Sequence, residues 1–272
     1  MTASPAPIVP ELAAFTATDA LEIAVGAARA AAEILVDRFR GPAVGVRSKS
    51  TATDLVSEAD ERAEQAAVAY LRARRPHDGL VAEEGSSSES LTGFRWLVDP
   101  LDGTINYLYG VPHWCVCVAC ADAGGAIAGA VFDPTRGELF TAARAAGAQL
   151  GGRPIATSSV ADPAAALVAT GFSYDAVERA AQAAIVARMA GSVRDIRRAG
   201  SAALDLAWVA SGRLDAYFEV SRSAWDTAAG ALLVREAGGD VTWTEHTEIV
   251  ASGRPLHARL VALVRASHHT DR

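Results

Sequence analysis

The run Trp96-Leu97-Val98-Asp99-Pro100-Leu101-Asp102-Gly103-Thr104 sets an apolar segment directly against an acidic turn. Phe94–Val98 reads as a strand that delivers Asp99 at its end, where the ligands of α/β proteins gather. Residues three apart on a straight strand point to opposite faces. Pro100 works against continuation of a central strand, so the chain is expected to turn there and bring Asp99 and Asp102 onto one site. Between them, the Leu101 carbonyl offers a third hard oxygen. Gly103 and Thr104 then open a short helix through Ile105-Asn106-Tyr107. Free N–H groups at a helix start bind phosphate, and glycine lets an anion approach. The competing reading is a capped turn with surface aspartates.

The spacing is Asp-x-x-Asp-Gly-Thr, one residue longer than the Asp-x-Asp-Gly-Thr of haloacid dehalogenase phosphatases. It therefore argues against an aspartyl-phosphate intermediate. Outward from this run lie further acids. Gly79-Leu80-Val81-Ala82-Glu83-Glu84-Gly85 is a strand running into paired glutamates. Trp225-Asp226-Thr227-Ala228-Ala229-Gly230 puts an aspartate at a helix start, where an N-cap is the alternative reading. The segment from Lys49 to Asp60 ends at a strand-to-helix junction, where Glu58 and Asp60 could equally complement a helix dipole.

Patterning along the chain gives helices over Leu21–Phe39, with Asp19 and Glu22 marking the start, and from Ser57 or Glu58 to about Arg75, closed by Pro76. Strands follow at Trp114–Ala121, Ala126–Phe132, Glu138–Ala142 and Ala165–Thr170. Helices are expected at Ala176–Met189, Ser201–Ser211 and Asp226–Ala237, and strands at Leu214–Phe218, Asp240–Trp243 and Leu260–Val264. Helices first, strands in the middle and alternation afterwards indicate a layered α/β architecture. Residues 1–17 read as a loose arm.

Half of the 272 residues are hydrophobic and 21% are charged, as in a globular enzyme. The net charge of −7 argues against a nucleic-acid binder, and it suits a phosphate-processing site only if the acids hold divalent cations. Cys115, Cys117 and Cys120 form an odd, clustered set within an apolar strand, a poor disulfide framework and a poor zinc site. No run approaches the ~18–20 apolar residues that span a bilayer, and no charged leader precedes Arg29, so a cytoplasmic protein without membrane contact is expected.

From about Asp19 to Leu263, these segments resemble the inositol monophosphatase family of the lithium-sensitive, metal-dependent phosphatases. The signatures are Asp99-Pro100-Leu101-Asp102-Gly103-Thr104 and Trp225-Asp226-x-Ala228-Ala229-Gly230 leading to Glu236-Ala237-Gly238-Gly239, with Glu83-Glu84 upstream. The resemblance implies an αβαβα five-layer sandwich of the fructose-1,6-bisphosphatase type. It implies one domain over 18–272, with an α+β half over about 18–150 and an α/β half over about 151–265, and a homodimer. Glu83, Asp99 and the Leu101 carbonyl match ligands of one magnesium ion, and Asp99, Asp102 and Asp226 those of a second. Asp60 and Thr104 match the pair that activates water, with Asp60 near a third ion; Glu83 joins them as a catalytic acid, and Glu84 and Lys49 support them. Gly103 and Thr104 match a phosphate cradle, and Gly200, Ser201, Ala202 and Glu219 match substrate contacts.

Leu101 stands where isoleucine is common, Ser57-Glu58-Ala59-Asp60 departs from Thr-x-x-Asp, and Gly151-Gly152 replaces Asn-Gly; no metal position is lost. Two carboxylates ~4 Å apart repel by roughly 4 kcal/mol at an effective dielectric of about 20, so such a cluster calls for cations, and oxygen ligands select magnesium before zinc. The implied reaction is direct attack of water on phosphorus. The implied substrate is a small phosphorylated polyol, inositol 1-phosphate first, with histidinol phosphate, fructose 1,6-bisphosphate and 3′-phosphoadenosine phosphates as alternatives. The Asn106-Tyr107 continuation and Glu219 agree with a polyol, while Arg197 and Arg198 could reach a substrate or lie on the surface. A regulatory role through a protein partner on the same fold is the remaining alternative.

Overall fold

The computed structural model describes residues 15–49, 55–220, 223–244 and 248–268. Helix α1 (Ala17–Arg38) starts at Thr16, whose side chain accepts from the Asp19 N–H while Asp19 bonds back to Thr16. This capping box makes Asp19 the third helical residue rather than the start, and it draws Phe15 to Ala17 out of the expected arm. Residues 1–14 of that arm lie outside the described residues. The short strands β1 (Arg47–Ser48) and β2 (Leu55–Val56) pair as a two-stranded ribbon. Helix α2 (Glu58–Arg74) follows, with Ser57 as its N-cap.

Ala20, Ala24, Ala27, Ala28 and Ala31 of α1 are fully buried, as are Ala63 and Ala67 of α2. Spaced three or four apart, they form one face of each helix and let the two backbones approach closely. This pair covers one side of an eight-stranded sheet. Its strands are β3 (Gly79–Ala82), β4 (Ser87–Ser88), β5 (Arg95–Asp102), then, after helix α3 (Thr104–Leu108), β6 (Cys115–Asp122), β7 (Gly125–Asp133), β8 (Glu138–Ala143), β9 (Gly147–Leu150) and β10 (Arg153–Pro154). Their order is β10-β9-β8-β7-β6-β5-β3-β4, antiparallel except between β3 and β5.

Strand β6 shows how one sheet serves two cores. Val116, Val118 and Cys120 pack toward α1 and α2, and Cys115, Cys117 and Ala119 face the other way. All three cysteines are free and buried.

The second half contains β11 (Leu167–Thr170), α4 (Ala176–Met189), β12 (Asp195–Arg197), α5 (Ala202–Ala210), β13 (Ala216–Val220), α6 (Ala224–Glu236), β14 (Gly239–Trp243), β15 (Glu248–Gly253) and α7 (Arg254–Ala266). Five strands form a mixed sheet in the order β12-β11-β13-β15-β14. Helices α5 and α6 lie between the two sheets, and α4 and α7 close the outer face of the second. The layers run helix, sheet, helix, sheet, helix. The middle contact is tight: a Cβ on Gly230 of α6 would fall 2.5 Å from Leu206 Cβ of α5, and one on Gly129 of β7 would fall 2.9 Å from Ala229 Cα.

Two expectations from the sequence are corrected. Leu260–Val264 is not a strand but part of α7, because Leu256, Leu260 and Val264 recur every four residues and are fully buried on one helical face. The strand of that region is β15, between β13 and β14. Second, β5 does not stop before Pro100. Asp99 pairs with Cys117 and Asp102 with Cys115, so three steps on β5 oppose two on β6. Proline is tolerated there because a bulge breaks the ladder and leaves its missing N–H without consequence.

His113, in the turn before β6, sits edge-on against Trp208 of α5, with ring centroids 5.1 Å apart, and its Nε2 has no hydrogen-bond partner. Burial, and next the Arg136 guanidinium, push its pKa down to about 4. Above pH ~6.5, neither the folded nor the unfolded chain protonates it; below that, only the unfolded chain does, until about 4. Stability is therefore lost as pH falls through this window, by about 2 kcal/mol at pH 5. His113→Phe removes that loss. Denaturant melts at pH 7.5 and 5 should show the variant gaining about 2 kcal/mol on the parent between the two, and parallel pH dependences would refute the assignment.

Candidate active site

The bulge in β5 replaces the alternation of a regular strand and sends both Asp99 and Asp102 toward one cleft, which Leu101, Gly103 and Thr104 also line. Asp99 is 2% exposed, and its Oδ1 accepts from the Leu101 N–H at 2.9 Å. Gly103 follows with φ 99°, and a Cβ there would meet the His113 carbonyl at 3.0 Å, so both conformation and space require glycine. The Thr104 side chain stands 3.1 Å from the Leu101 carbonyl and 3.1 Å from Asp60 Oδ1. Its single hydroxyl proton serves one of them at a time.

Asp60 takes the helix-start role and does not itself line the cleft, but it reaches Thr104, which does. As third residue of α2, it closes a capping box, its Oδ2 accepting from the Ser57 N–H at 3.0 Å and hydroxyl at 2.5 Å. Its other oxygen is left for Thr104. Burial holds the Asp60 carboxyl above its ordinary range, against the bonds from Ser57 and Thr104. One turn further along α2, Glu64 is 3% exposed and accepts from the Glu84 N–H at 2.6 Å and the Ser86 N–H at 3.0 Å. It fixes the turn that presents Glu83. Sequence reading missed it, although its spacing of four from Asp60 put both on one helix face.

Glu83 lines the cleft, and Glu84 stands behind it. Lys49 joins both, at 2.8 Å and 2.6 Å. Burial alone would pull the Lys49 ammonium down, but the two carboxylates outweigh it and hold it above its usual range. Burial raises Glu84 to about 7 despite Lys49. The rest of the loop before α2, residues 50–54, lies outside the described residues.

The second half supplies the opposite wall. Ser201 is the N-cap of α5, and its hydroxyl donates to Asp102 Oδ2 at 2.6 Å, beside the Ala203 N–H at 2.7 Å. Asp102 thus sits on the positive end of α5. Even so, burial raises it to about 6. Asp226 is the third residue of α6, whose N-cap is Ser223, so it is free of the capping role considered for it and lines the cleft. Burial, and next the charges of Glu83 and Asp102, hold Asp226 well above the carboxylate range; the same causes, with Asp226 itself, raise Asp99.

Glu219 of β13 lines the cleft and accepts from the Tyr217 hydroxyl, and burial lifts it to about 7. Gly200 and Ala202 also line it. Arg198 does too, whereas Arg197 is exposed and paired with Asp195. Asn106 and Tyr107 are not among the residues that line the cleft: Asn106 Nδ2 bonds the carbonyls of His113 and Ala199, and the Tyr107 hydroxyl is tied to the Leu35 carbonyl in the core. Thr170, Gly171, Phe172, Tyr174 and Asp205 line the cleft and were not expected from the sequence. Of these, Asp205 had a signal, four residues after Ser201 on one helical face.

The cleft thus collects Glu83, Asp99, Asp102 and Asp226, together with the Leu101 carbonyl, from both halves of the chain. As they stand, no three acidic, histidine or cysteine side chains among the described residues close around a single point; Glu83 is turned to Lys49, and Asp102 to α5. The donors are nonetheless all oxygens with excess negative charge in a buried site, which is the chemistry that takes a hard divalent cation.

The sequence profile of the inositol monophosphatase family matches residues 17–270. The Nus factor SuhB of Xylella fastidiosa is 44% identical over 223 residues, covering 82% of this chain and 81% of that protein. Inositol-1-monophosphatase of Mycobacterium leprae is 45% identical over 205 residues, covering 72% and 70%. The crystal structure of the extragenic suppressor protein SuhB from Bartonella henselae superimposes with a TM-score of 0.84 at 36% identity, covering 92% of this chain and 98% of that one. With the profile spanning almost the whole sequence, and the layered fold shared, this chain belongs to the inositol monophosphatase family.

Proposed function

We propose that the chain is a magnesium-dependent hydrolase of small phosphate monoesters, acting on a polyol phosphate and on inositol 1-phosphate first. The observation that carries this reading is the meeting of four carboxylates from both halves at one cleft, beside a Thr104–Asp60 pair. The name of the M. leprae relative supports the choice of substrate. Glu83, Asp99, the Leu101 carbonyl, Asp102 and Asp226 would hold two magnesium ions, with Asp60 near a third. Such ions would offset the charge of the phosphate and polarise its oxygens.

The remaining work falls to the chain's own groups. Thr104 Oγ takes a proton from the attacking water as it passes its own to Asp60 Oδ1, whose raised proton affinity suits it to receive one. Ser57 holds the other oxygen of Asp60, so the receiving oxygen stays aimed at Thr104. The water oxygen joins phosphorus as the ester P–O bond breaks, the bond's electron pair leaves with the alcohol oxygen, which takes a proton from solvent, and no side chain becomes phosphorylated. Gly103 and Thr104 N–H groups at the start of α3 face the phosphate, and Glu219 accepts from a hydroxyl of the alcohol. The same metal site would serve histidinol phosphate or another small sugar or nucleotide phosphate.

Phosphate release should be measured on inositol 1-phosphate, histidinol phosphate, fructose 1,6-bisphosphate and 3′-phosphoadenosine 5′-phosphate, with magnesium and with chelator. Inositol 1-phosphate should be preferred by about 100-fold or more, and chelator should abolish its turnover. Silence on all four from folded, magnesium-binding protein would overturn the reading.

Because several relatives carry the name Nus factor SuhB, a partner-binding role on the same fold is the second reading. Asp99→Asn separates the two. Removing a buried charge from a repelling set should raise the melting temperature of the metal-free protein by several degrees while abolishing the further rise on adding magnesium. On the enzyme reading, the cellular phenotype is lost in this variant; its retention would favour the partner.

A further inference from the structure

Asp205 is an acid at the cleft to which the reaction above gives no role. It lies one turn beyond Ser201 in α5, its N–H bonding the Ser201 carbonyl at 3.0 Å, and one turn places both side chains on the same helical face. Ser201 gives its hydroxyl to Asp102, and Asp205 continues the same wall. Its side chain is no remnant of a solvated surface: the residue is 2% exposed, and its Oδ1 has no hydrogen-bond partner in the fold. A buried carboxyl oxygen without a donor is costly, so the position favours an occupant that brings one.

What it shares the wall with narrows that occupant. Glu219 arrives from β13 with one oxygen taken by Tyr217. A Cβ on Gly171 would lie 1.9 Å from Glu219 Oε2, so the absent side chain is what leaves room for this carboxyl. Arg198 lines the same cleft, and its positive charge acts on both acids. With that charge at hand, the wall does not need a cationic ligand; it lacks hydrogen-bond donors on a neutral one.

Resting on the polyol-phosphatase reading, the geometry assigns Asp205 to substrate recognition: with Glu219 it forms a two-carboxyl wall that takes hydrogen bonds from two separate hydroxyls of the alcohol half of the ester. The substrate class is thereby narrowed to polyhydroxylated phosphates, against simple alkyl or aryl esters and against esters bearing an ammonium group.

The test compares kcat/KM for inositol 1-phosphate with that for 4-nitrophenyl phosphate, which has no hydroxyls to read, in the magnesium-loaded full chain. Wild type should prefer the inositol ester, and Asp205→Ala should lower the ratio by about tenfold or more. Asp205→Asn, isosteric and still able to accept a hydrogen bond, should keep the ratio within about threefold. An unchanged ratio in Asp205→Ala, with both esters slowed alike, would make Asp205 a support of α5 and overturn the inference. A loss in Asp205→Asn as large as in Asp205→Ala, with wild type preferring histidinol phosphate, would show a wall that reads an ammonium and would also overturn it. These failures leave phosphatase activity on 4-nitrophenyl phosphate standing; release from neither ester by wild type would sink the parent reading and this inference with it.

Discussion

The constraint on which the structure turns is the confinement of like charges: carboxylates from three separate segments, Glu83, Asp99 with Asp102, and Asp226, meet at one partly buried cleft. At an effective dielectric of about 20, two carboxylates ~4 Å apart repel by roughly 4 kcal/mol, and burial adds a cost for every ionised group. Local compensation surrounds the cluster. Lys49 lies against Glu83 and Glu84, the first turn of α5 against Asp102, and the Leu101 N–H against Asp99. None of these neutralises the set, since Asp99 and Asp226 remain well above the ordinary carboxylate range. On the proposed reading, a divalent cation offsets that imbalance.

Placement of these acids depends on close packing of the layers. Asp102 meets α5 only because α5 and α6 lie tightly between the sheets, and glycine at 129 and 230 permits that approach. The second half thereby completes the wall of acids that the first half begins. Asn106 ties the same seam, one amide nitrogen holding carbonyls from both sides. Here, packing and chemistry are a single arrangement.

Much of this was legible in the sequence, and what was not has particular causes. The helices at Ser57 and Ser201 were readable because their capping residues are local signals. Pro100 was misleading because a bulge is a property of two paired strands, and only the register of β6 shows that β5 continues past it. Leu260–Val264 was read as a strand, whereas the spacing of Leu256, Leu260 and Val264 decided for a helix. Among the site residues, Asp99, Asp102 and Asp226 stood out through their glycine- and proline-marked surroundings. Glu64 did not, since an acid on the charged face of a helix looks solvated until the loop it meets is known, whereas Asp205 is the one acid in the apolar run of α5 and its signal went unread.

Glu236 shows that a motif can mark the seam rather than the chemistry. Its segment, Glu236-Ala237-Gly238-Gly239, is among the signatures of the family resemblance, yet its carboxylate does not line the cleft. Instead, it accepts from the Ala145 N–H and the Gly147 N–H, each at 2.9 Å, at the turn between β8 and β9. Ala145 has φ 62°, a left-handed conformation that costs a residue with a Cβ about 1–2 kcal/mol. A charged acceptor on two backbone donors offsets a cost of that size. The end of α6 is therefore fastened to the first sheet, and near its beginning, beside Asp226, Cys117 Sγ of β6 donates to the Trp225 carbonyl at 3.4 Å, so the helix is held at both ends by the half of the chain to which it does not belong. The spacing from Asp226 to Glu236 can then be read as a length requirement: one α-helix of ~1.5 Å per residue, spanning from the acid site to the turn that anchors it.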